Sequence, residues 1–262
     1  MKYMLIHAVD ESRLGDLPPD VETELGAWVE EMVGRGIELD GARLHPTSDA
    51  TTVRAPGGDV QVTDGPFAET KEQIAGYDVI DCPDLDTAIA VAAAHPTLHV
   101  GAIEVRAFEE GMPNPEVPET LAEGKRRYLM LVCADMREAM AAEAVEGAGP
   151  GREQAISPDL WDAPEPQPPA EADDDSMEID AWCDSVADRR LYGWPLAFPN
   201  TAVTVRRVDG RVVTTDGPFA ETKEQVAGYD LLECHDLDEA LAAAGTHPVA
   251  AGGALEIRPL WD

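Results

Sequence analysis

A compact group of charged side chains stands beside a tight turn in this sequence. Asp64 opens the tetrapeptide Asp-Gly-Pro-Phe, and Glu69, Lys71 and Glu72 follow it within a few residues. A lysine between two carboxylates is a candidate acid, base or anion anchor, because its compact charge has a pKa that shifts readily on burial. The chain has only four lysines against fifteen arginines, so a lysine here departs from its general use of arginine.

The block that contains this group occurs twice. Residues 63–78 read TDGPFAETKEQIAGYD and residues 215–230 read TDGPFAETKEQVAGYD, so the copies differ at a single position. Lys223 therefore repeats Lys71, and two of the four lysines stand at one equivalent position. Flanking segments keep the same spacing of 152 residues with more differences. This pattern indicates a tandem duplication of one unit.

The duplicated block predicts a small-molecule cleft edged by charged side chains in each repeat. An arginine on the neighbouring predicted strand would also edge this cleft. The alternative is structural: Asp-Gly-Pro is typical of a tight turn, and the charges would form a surface ion-pair cluster that contributes little stability. The predicted cleft residues are Asp64, Glu69, Lys71, Glu72 and Arg54 in the first repeat and Asp216, Glu221, Lys223, Glu224 and Arg206 in the second, with Asp64 and Lys71 as candidate catalytic groups.

His7 is the best single candidate for proton transfer. It lies on the first predicted strand, and an imidazole titrates near neutral pH. The alternative interpretation is a hydrogen-bonded histidine of the core. Val132 occupies the equivalent place in the second repeat, so a catalytic His7 would leave only the first repeat active.

The remaining histidines point to structure more than to metal binding. His95 and His247 match and each precedes a proline, which predicts helix C-terminal caps that interact with the helix dipole. Metal binding by His95 and His99 is disfavoured, because Pro96 breaks the helix that would align the two rings. We expect no metal and no cofactor, and the sequence lacks the nucleotide-binding, dinucleotide-binding and serine-hydrolase motifs.

Hydrophobic periodicity predicts the same order of elements in both repeats. Each repeat reads strand, helix, strand, hairpin, strand, helix, strand, which is an α+β pattern of the ferredoxin-like type. Two such repeats would pack as an intramolecular pseudo-dimer. The predicted strands of the first repeat are 2–9, 37–44, 51–55, 59–63, 75–82 and 101–107, and its predicted helices are 20–34 and 85–94.

The domain boundaries follow from the duplication and from local composition. The first repeat covers 1–108, an acidic proline-bearing linker covers 109–124, and the second repeat covers 125–262. The second repeat contains an extra acidic, proline-rich segment at 147–176, and this composition predicts a mobile insertion.

The bulk composition narrows the range of partners. A net charge of −33 repels phosphate backbones, so we expect no direct nucleic-acid binding and no binding to an anionic membrane. No apolar run is long enough to cross a bilayer, and the N-terminus reads as a strand and not as a signal peptide. We therefore expect a cytoplasmic protein whose cysteines are reduced, namely Cys82, Cys133, Cys183 and Cys234.

A family resemblance rests on the block, on the opening KYMLI and on the closing segments GAIEVR and GALEIRPL. Together they resemble the DGPF-type branch of the YCII-related family, over essentially both repeats. The resemblance implies a small bacterial domain of the dimeric α/β-barrel type that pairs through its sheet. One relative in the broader family is a dehydrochlorinase that acts on chlorinated hydroquinones, and DGPF proteins are often encoded beside extracytoplasmic-function sigma factors.

The broader family also has a proposed His/Asp pair whose histidine lies on the first helix. That position falls near Leu25 in this chain, and neither predicted first helix contains a histidine. The resemblance therefore implies the fold of this protein but not a histidine at that place.

Three functional hypotheses follow. The first is a cofactor-free enzyme of the lyase or isomerase type acting on a small polar or aromatic molecule, and the second is a ligand sensor that uses the same cleft without turnover. The third is a non-catalytic interaction or regulatory module in extracytoplasmic-function sigma-factor signalling, in which the acidic insertion would bind a basic protein partner. The chain would be a monomeric pseudo-dimer or would form a homodimer.

Overall fold

The computed structural model describes residues 1–109, 111–137, 139–140 and 174–261. Most of the predicted insertion at 147–176 therefore lies outside the described residues. The strands are, in chain order, β1 (Lys2–Val9), β2 (Glu38–Arg43), β3 (Thr51–Arg54), β4 (Gln61–Asp64), β5 (Gln73–Asp81), β6 (Gly101–Ala107), β7 (Arg126–Ala134), β8 (Arg190–Pro195), β9 (Val203–Val208), β10 (Arg211–Asp216), β11 (Gln225–Cys234) and β12 (Ala254–Pro259).

The main α-helices occupy equivalent places in the two repeats. Asp84 begins the second helix of the first repeat as its N-cap, because its carboxylate accepts a hydrogen bond from the backbone N–H of Thr87 at 2.8 Å. Asp236 does the same for Glu239 at 2.9 Å in the second repeat. The helices are α1 (Val21–Gly34), α2 (Leu85–Ala93), α3 (Asp174–Ser185) and α4 (Leu237–Gly245).

The strands form two antiparallel six-stranded sheets that exchange hairpins. Sheet I has the order β10-β9-β6-β1-β5-β2, and sheet II has the order β4-β3-β12-β7-β11-β8. Each sheet therefore holds four strands of one repeat and the hairpin of the other. Val53 on β3 lies opposite Leu255 on β12, and Val205 on β9 lies opposite Ile103 on β6. The predicted α+β pseudo-dimer is confirmed, and the structure adds the hairpin exchange.

Three apolar cores hold the described residues together. The central core lies between the sheets and contains side chains of both repeats, such as Met4 and Leu129. The two outer cores pack the helices against one sheet each. Val205 of the second repeat is buried in the outer core of sheet I beside Trp28, and Val53 of the first repeat is buried in that of sheet II. Separating the repeats would expose this apolar surface to water, which is unfavourable.

The predicted linker follows the surface of the central core. Lys2 Nζ donates a hydrogen bond to the carbonyl oxygen of Met112 at 2.6 Å, and Met112 and Val117 pack against the central core. Within the ranges that the structure describes, no helix combines the length and the apolarity needed to cross a membrane.

Candidate functional site

A cavity of about 320 Å³ lies between sheet I and α1 in the first repeat. Strands β1, β5 and β2 form its floor, and α1 and the short 3-10 helix Glu11–Asp16 contribute the opposite wall. A concave lining that combines aliphatic side chains with titratable groups is typical of a small-molecule site. The aliphatic lining residues are Val9, Leu14, Leu17, Val21, Leu25, Val29 and Val100, and the charged or titratable ones are His7, Glu22, Glu38, Arg43, Asp78 and His95.

His7 and Asp78 form a buried pair on the cavity floor. His7 Nε2 lies 2.8 Å from Asp78 Oδ2, and the two residues are only 7% and 5% exposed. A carboxylate only accepts hydrogen bonds, so this contact assigns the donor role to Nε2 of His7, and in the neutral ring the lone pair is then on Nδ1. Nδ1 has no hydrogen-bond partner among the described residues, which leaves it free to accept a proton from a bound molecule.

His95 lies beside the same carboxylate as a neutral ring. Its Nδ1 accepts a hydrogen bond from the backbone N–H of Thr97 at 3.1 Å, so its Nε2 carries the ring proton. This Nε2 lies 3.8 Å from Asp78 Oδ2 and has no hydrogen-bond partner in the described ranges. Burial, reinforced by the nearby His7, lowers the pKa of His95 to about 3. His95 therefore adds no charge to the site at neutral pH.

The prediction that His95 and His247 cap helix C-termini is wrong. His95 follows the C-cap of α2 and is instead the N-cap of the 3-10 helix Pro96–His99. His247 accepts a hydrogen bond from the backbone N–H of Val249 at 3.1 Å in the same way. Burial is the main cause that lowers the pKa of His247 to about 4, so neither ring is a cation that could interact with a helix dipole.

Glu38 places a neutral carboxyl group in the cavity. Burial is the main cause that raises the pKa of Glu38 to about 8, and the charges of Asp78 and Asp40 add to it. Its Oε2 is buried without a hydrogen-bond partner among the residues described. A carboxyl group that stays protonated at neutral pH is a donor, so Glu38 can donate a hydrogen bond to an oxygen atom of a bound molecule.

Gly41 allows the two carboxyl groups to approach each other. A Cβ at this position would lie 2.5 Å from Asp78 Oδ1 and 3.0 Å from Glu38 Oε1. Any side chain would therefore push one of them away. The close approach explains why the charge of Asp78 contributes to the raised pKa of Glu38.

Gly76 leaves the floor open next to His7. It lies opposite His7 on β1 and opposite Arg43 on β2, at a bulge where β5 has one residue more than β1. A Cβ here would lie 3.2 Å from His7 Nδ1 and 2.8 Å from the carbonyl oxygen of Ala42. The glycine therefore keeps space beside the atom of His7 that carries the lone pair.

The side chains of His7, Asp78 and His95 are close enough to share a metal ion, because one ligand atom of each lies within 4.8 Å of the others. The tautomer of His95 opposes this role. Its Nδ1 accepts a backbone N–H, so Nε2 keeps its proton and has no lone pair to offer a metal. The cluster is better suited to moving protons than to holding a metal.

The equivalent place in the second repeat has different chemistry. Val132, Arg190 and Asp230 stand where the first repeat has His7, Glu38 and Asp78. Arg190 Nε donates to Asp230 Oδ1 at 2.6 Å, and Arg190 Nη2 donates to the carbonyl oxygen of Gly193 at 2.7 Å. Burial still raises the pKa of Asp230 to about 6, although Arg190 opposes the shift. This repeat has an ion pair in place of a base.

The duplicated block lies at the contact between the repeats. Glu256 of the second repeat accepts a hydrogen bond from the backbone N–H of Phe67, in the DGPF turn of the first, at 3.0 Å. Arg258 donates to Glu256 at 2.9 Å and to the carbonyl oxygen of Ile74 at 3.0 Å. Glu104, Arg106, Phe219 and Val226 repeat these contacts in the opposite direction. The near identity of the two copies therefore coincides with a symmetrical interface.

The two hairpin arginines do not join the charged group that the sequence predicted for them. Arg54 donates to both carboxylate oxygens of Glu224, at 2.5 and 2.6 Å, and not to the block of its own repeat. Arg206 donates to Glu72 at 2.5 Å in the same crossed manner. The hairpin exchange is the physical reason, because it carries each arginine to the other sheet.

The other predicted cleft residues lie outside the cavity. The side chain of Lys71 is 85% exposed, and its Nζ lies 3.7 Å from Asp10 Oδ2. The structure thus brings His7 into the cavity without the block's lysine. The remaining exposed residues of the predicted set are Asp64, Glu69, Asp216, Glu221 and Lys223.

The sequence analysis did not predict three residues of the candidate site as site residues, namely Asp78, Glu38 and His95. Asp78 is the last residue of the duplicated block, and this was a usable signal. The sequence signal for Glu38 was weaker: the equivalent residue of the second repeat is Arg190, which has the opposite charge. His95 could not be assigned to the site from the sequence, because only the fold brings it within 3.8 Å of Asp78.

Comparisons with known proteins agree with the duplicated architecture. The family model described as the YCII-related domain matches residues 1–110 and 134–262. An uncharacterised protein of Rhizobium meliloti (strain 1021) is 49% identical over 69 residues. That match covers 25% of this chain and 54% of the relative, so the chain spans about half the length of the curated relative that it matches.

Proposed function

The chain belongs to the YCII-related domain family, with one domain in each repeat, and we propose that the first domain contains a cofactor-free acid–base active site for a small molecule. The observation that carries this proposal is the buried His7–Asp78 pair on the floor of a cavity that also contains the neutral carboxyl group of Glu38. A base and an acid in one cavity are sufficient to move a proton along a carbon framework.

His7 acts as the base. Its Nδ1 takes a proton from an acidic C–H bond of the substrate, and the imidazolium that forms is stabilised by the Asp78 carboxylate 2.8 Å from Nε2. His95 is a positioning residue, because its ring packs against His7 with the ring centroids 4.4 Å apart. Trp28 packs edge-on against His95 at the same centroid distance, which fixes the His95 ring in turn.

Glu38 acts as the acid. As His7 removes the proton, the C–H electron pair forms a C=C bond and the carbonyl electron pair moves to oxygen, which takes the proton of Glu38. The carbonyl group then re-forms and its O–H proton returns to Glu38. In a substrate whose enol is conjugated with a second C=C bond, return of the His7 proton to the far carbon of that bond completes an isomerisation. In a substrate with a leaving group on the carbon next to the enol, departure of that group with its bonding electron pair and the His7 proton completes an elimination. A pKa of about 8 keeps Glu38 protonated at neutral pH and leaves it a stronger acid than water.

The lining of the cavity supports a small and largely apolar carbonyl compound as substrate. Seven aliphatic side chains contribute to the lining, and Glu38 and His7 offer one donor and one acceptor on its floor. A carbonyl oxygen would bind Glu38, and the neighbouring C–H bond would then face His7. The same cavity also suits a ligand sensor without turnover, so the test must separate binding from catalysis.

Proton exchange in D₂O tests the proposal. Small ketones and aldehydes that raise the Tm of the protein are selected first, because a ligand stabilises the folded state by mass action. We expect the protein to accelerate deuterium incorporation beside the carbonyl group, as measured by NMR. The His7→Gln variant should lose about 10²- to 10⁴-fold of this rate.

A matched control is His45→Gln, which removes a histidine outside the cavity lining and should leave the rate unchanged. If compounds bind and raise the Tm but no exchange exceeds the buffer rate, the cavity belongs to a sensor and the enzyme proposal fails. An equal rate in the wild type and in His7→Gln would also refute the assigned base.

A further inference from the structure

Arg43 extends the row of functional groups on the cavity floor. In the register of sheet I, His7 on β1, Gly76 on β5 and Arg43 on β2 lie side by side, and all three strands contribute to the cavity. Residues directly opposite each other point to the same face of a sheet. Two strand spacings place the backbones of His7 and Arg43 roughly 10 Å apart, with only a glycine between them.

The ion pair with Glu22 shows that Arg43 can bind a carboxylate at the cavity. Arg43 Nη1 donates to Glu22 Oε1 at 2.7 Å, and both residues line the cavity. Their side chains are 57% and 69% exposed, so the pair is one of the weak surface ion pairs that contribute little stability. A ligand carboxylate can therefore replace Glu22 at small cost and form two parallel hydrogen bonds with the guanidinium. The released Glu22 stays in the first turn of α1, where the helix dipole favours a negative charge.

We propose that the substrate of this site is a short carboxylic acid whose carboxylate binds Arg43 while its reacting carbon lies over Gly76 beside His7. This inference rests on the active site proposed above. Among the described residues that line the cavity, Arg43 is the only side chain with a permanent positive charge. The net charge of −33 does not prevent binding, because salt screens charges beyond about 8 Å at physiological ionic strength.

The second repeat supports the pairing of base and anchor. Pro195 lies opposite Gly228 on the neighbouring strand, as Arg43 lies opposite Gly76. The repeat that has no histidine in this row therefore also has no arginine in it. A role for Arg43 in stability alone would not require the two residues to be absent together.

Binding of short oxo acids tests the anchor. Isothermal titration would use 2-oxobutanoate, 4-oxopentanoate and 5-oxohexanoate, each beside its neutral amide. We expect at least one acid to bind the wild type at least ~10-fold more tightly than its amide, as a charge-assisted contact predicts. Arg43→Gln should raise the Kd of that acid by about 10- to 100-fold and leave the Kd of the amide unchanged.

Two further variants complete the design. Glu22→Gln removes the competing carboxylate and should lower the Kd of the acid by roughly 2- to 5-fold. Arg35→Gln removes an exposed arginine that pairs with Glu31 outside the cavity lining, and it should leave the Kd of the acid and of its amide unchanged. The proposal is overturned if no acid binds better than its amide, or if Arg43→Gln binds the acid as the wild type does.

The outcome can be separated from that of the active-site proposal. Exchange of a neutral ketone such as 2-butanone should survive Arg43→Gln and be lost in His7→Gln. If Arg43→Gln has no effect on acid binding while His7→Gln abolishes exchange, the anchor is wrong and the acid–base site stands. If acids bind through Arg43 but nothing exchanges, the carboxylate site stands and the catalytic role fails.

Discussion

The equivalent sites on sheets I and II have the same backbone arrangement but different side chains. In both repeats an aspartate at the end of the duplicated block is buried, and in both a glycine on the next strand makes room for its carboxylate. In the first repeat Asp78 faces an imidazole at 2.8 Å. In the second, Asp230 faces the guanidinium of Arg190 at 2.6 Å.

The two sites differ in the chemistry that the residue beside the aspartate can supply. An imidazole beside Asp78 keeps a free lone pair, whereas a guanidinium beside Asp230 has only donors and remains charged. On our proposal the first arrangement exchanges protons with a ligand, whereas the second only stabilises the fold. The side chain that pairs with the aspartate therefore determines its role in each repeat.

The largest expected effect separates the two aspartates. Asp78→Asn should lower the exchange rate by about 10²- to 10⁴-fold, because the imidazolium loses its counter-charge. Asp230→Asn should leave the rate unchanged but lower the free energy of unfolding by roughly 3 kcal/mol, because it leaves Arg190 without its buried partner. NMR measures the rate of deuterium incorporation into the substrate, and urea unfolding measures the free energy of unfolding. Similar losses of activity in both variants would contradict the assignment of one active repeat.

Glu38→Arg would give the first site the aspartate–arginine pair of the second. The new guanidinium should pair with Asp78 and remove the acid from the cavity, so the exchange rate should fall by at least ~10²-fold. The free energy of unfolding should change by no more than about 1 kcal/mol, because Arg190 already shows that this backbone accommodates an arginine. Retained activity would show that Glu38 is not the acid.

The pH dependence sharpens the role of Glu38. A folded-state pKa of about 8 means that activity should decline as pH rises through 8, because the acid then loses its proton. Stability should change in the same direction. Between the unfolded value of 4.5 and about 8, the folded state holds a proton that the unfolded chain has released, so the free energy of unfolding falls as pH rises. Glu38→Gln should abolish this fall, and urea unfolding across the range would measure it.

The buried histidines predict a smaller effect that the two repeats share. His95 and His247 have folded-state pKa values of about 3 and about 4, below the usual 6.5. The stability that they contribute is fully present above pH 6.5 and is lost as pH falls toward these values, because the unfolded chain binds the proton first. His95→Gln and His247→Gln should each flatten the acid side of the stability curve. A flattening in only one of them would show that the two rings are not equivalent.

The smallest effects are expected at the lysines of the block and at the hairpin arginines that pair with its glutamates. Arg54→Ala and Arg206→Ala should each lower the free energy of unfolding by at most about 1 kcal/mol, because both ion pairs are partly exposed. The double variant Lys71→Ala/Lys223→Ala should change neither stability nor ligand binding measurably, because the Lys71 side chain is 85% exposed outside the cavity lining. Weaker ligand binding in the double variant would show that the two lysines contribute to the binding site.

The fold was predictable to the level of single elements. Period-two and helical patterns predicted each strand and helix of the first repeat within a few residues, because these patterns depend on neighbours along the chain. The site was predictable only in part. His7 stood out by residue type and by its strand, but Lys71 drew attention through its rarity, which says nothing about where a side chain lies.

The sequence by itself determined the duplication, the order of elements and the asymmetry between His7 and Val132, because these follow from residue identity and local spacing. Tertiary structure alone decided which sheet each hairpin joins and which groups meet at the cavity. Strand pairing brings Asp78 to His7, 71 residues away, and hairpin exchange takes Arg54 to Glu224, 170 residues away. Such contacts depend on register and on the packing of the whole chain, and no local pattern records them.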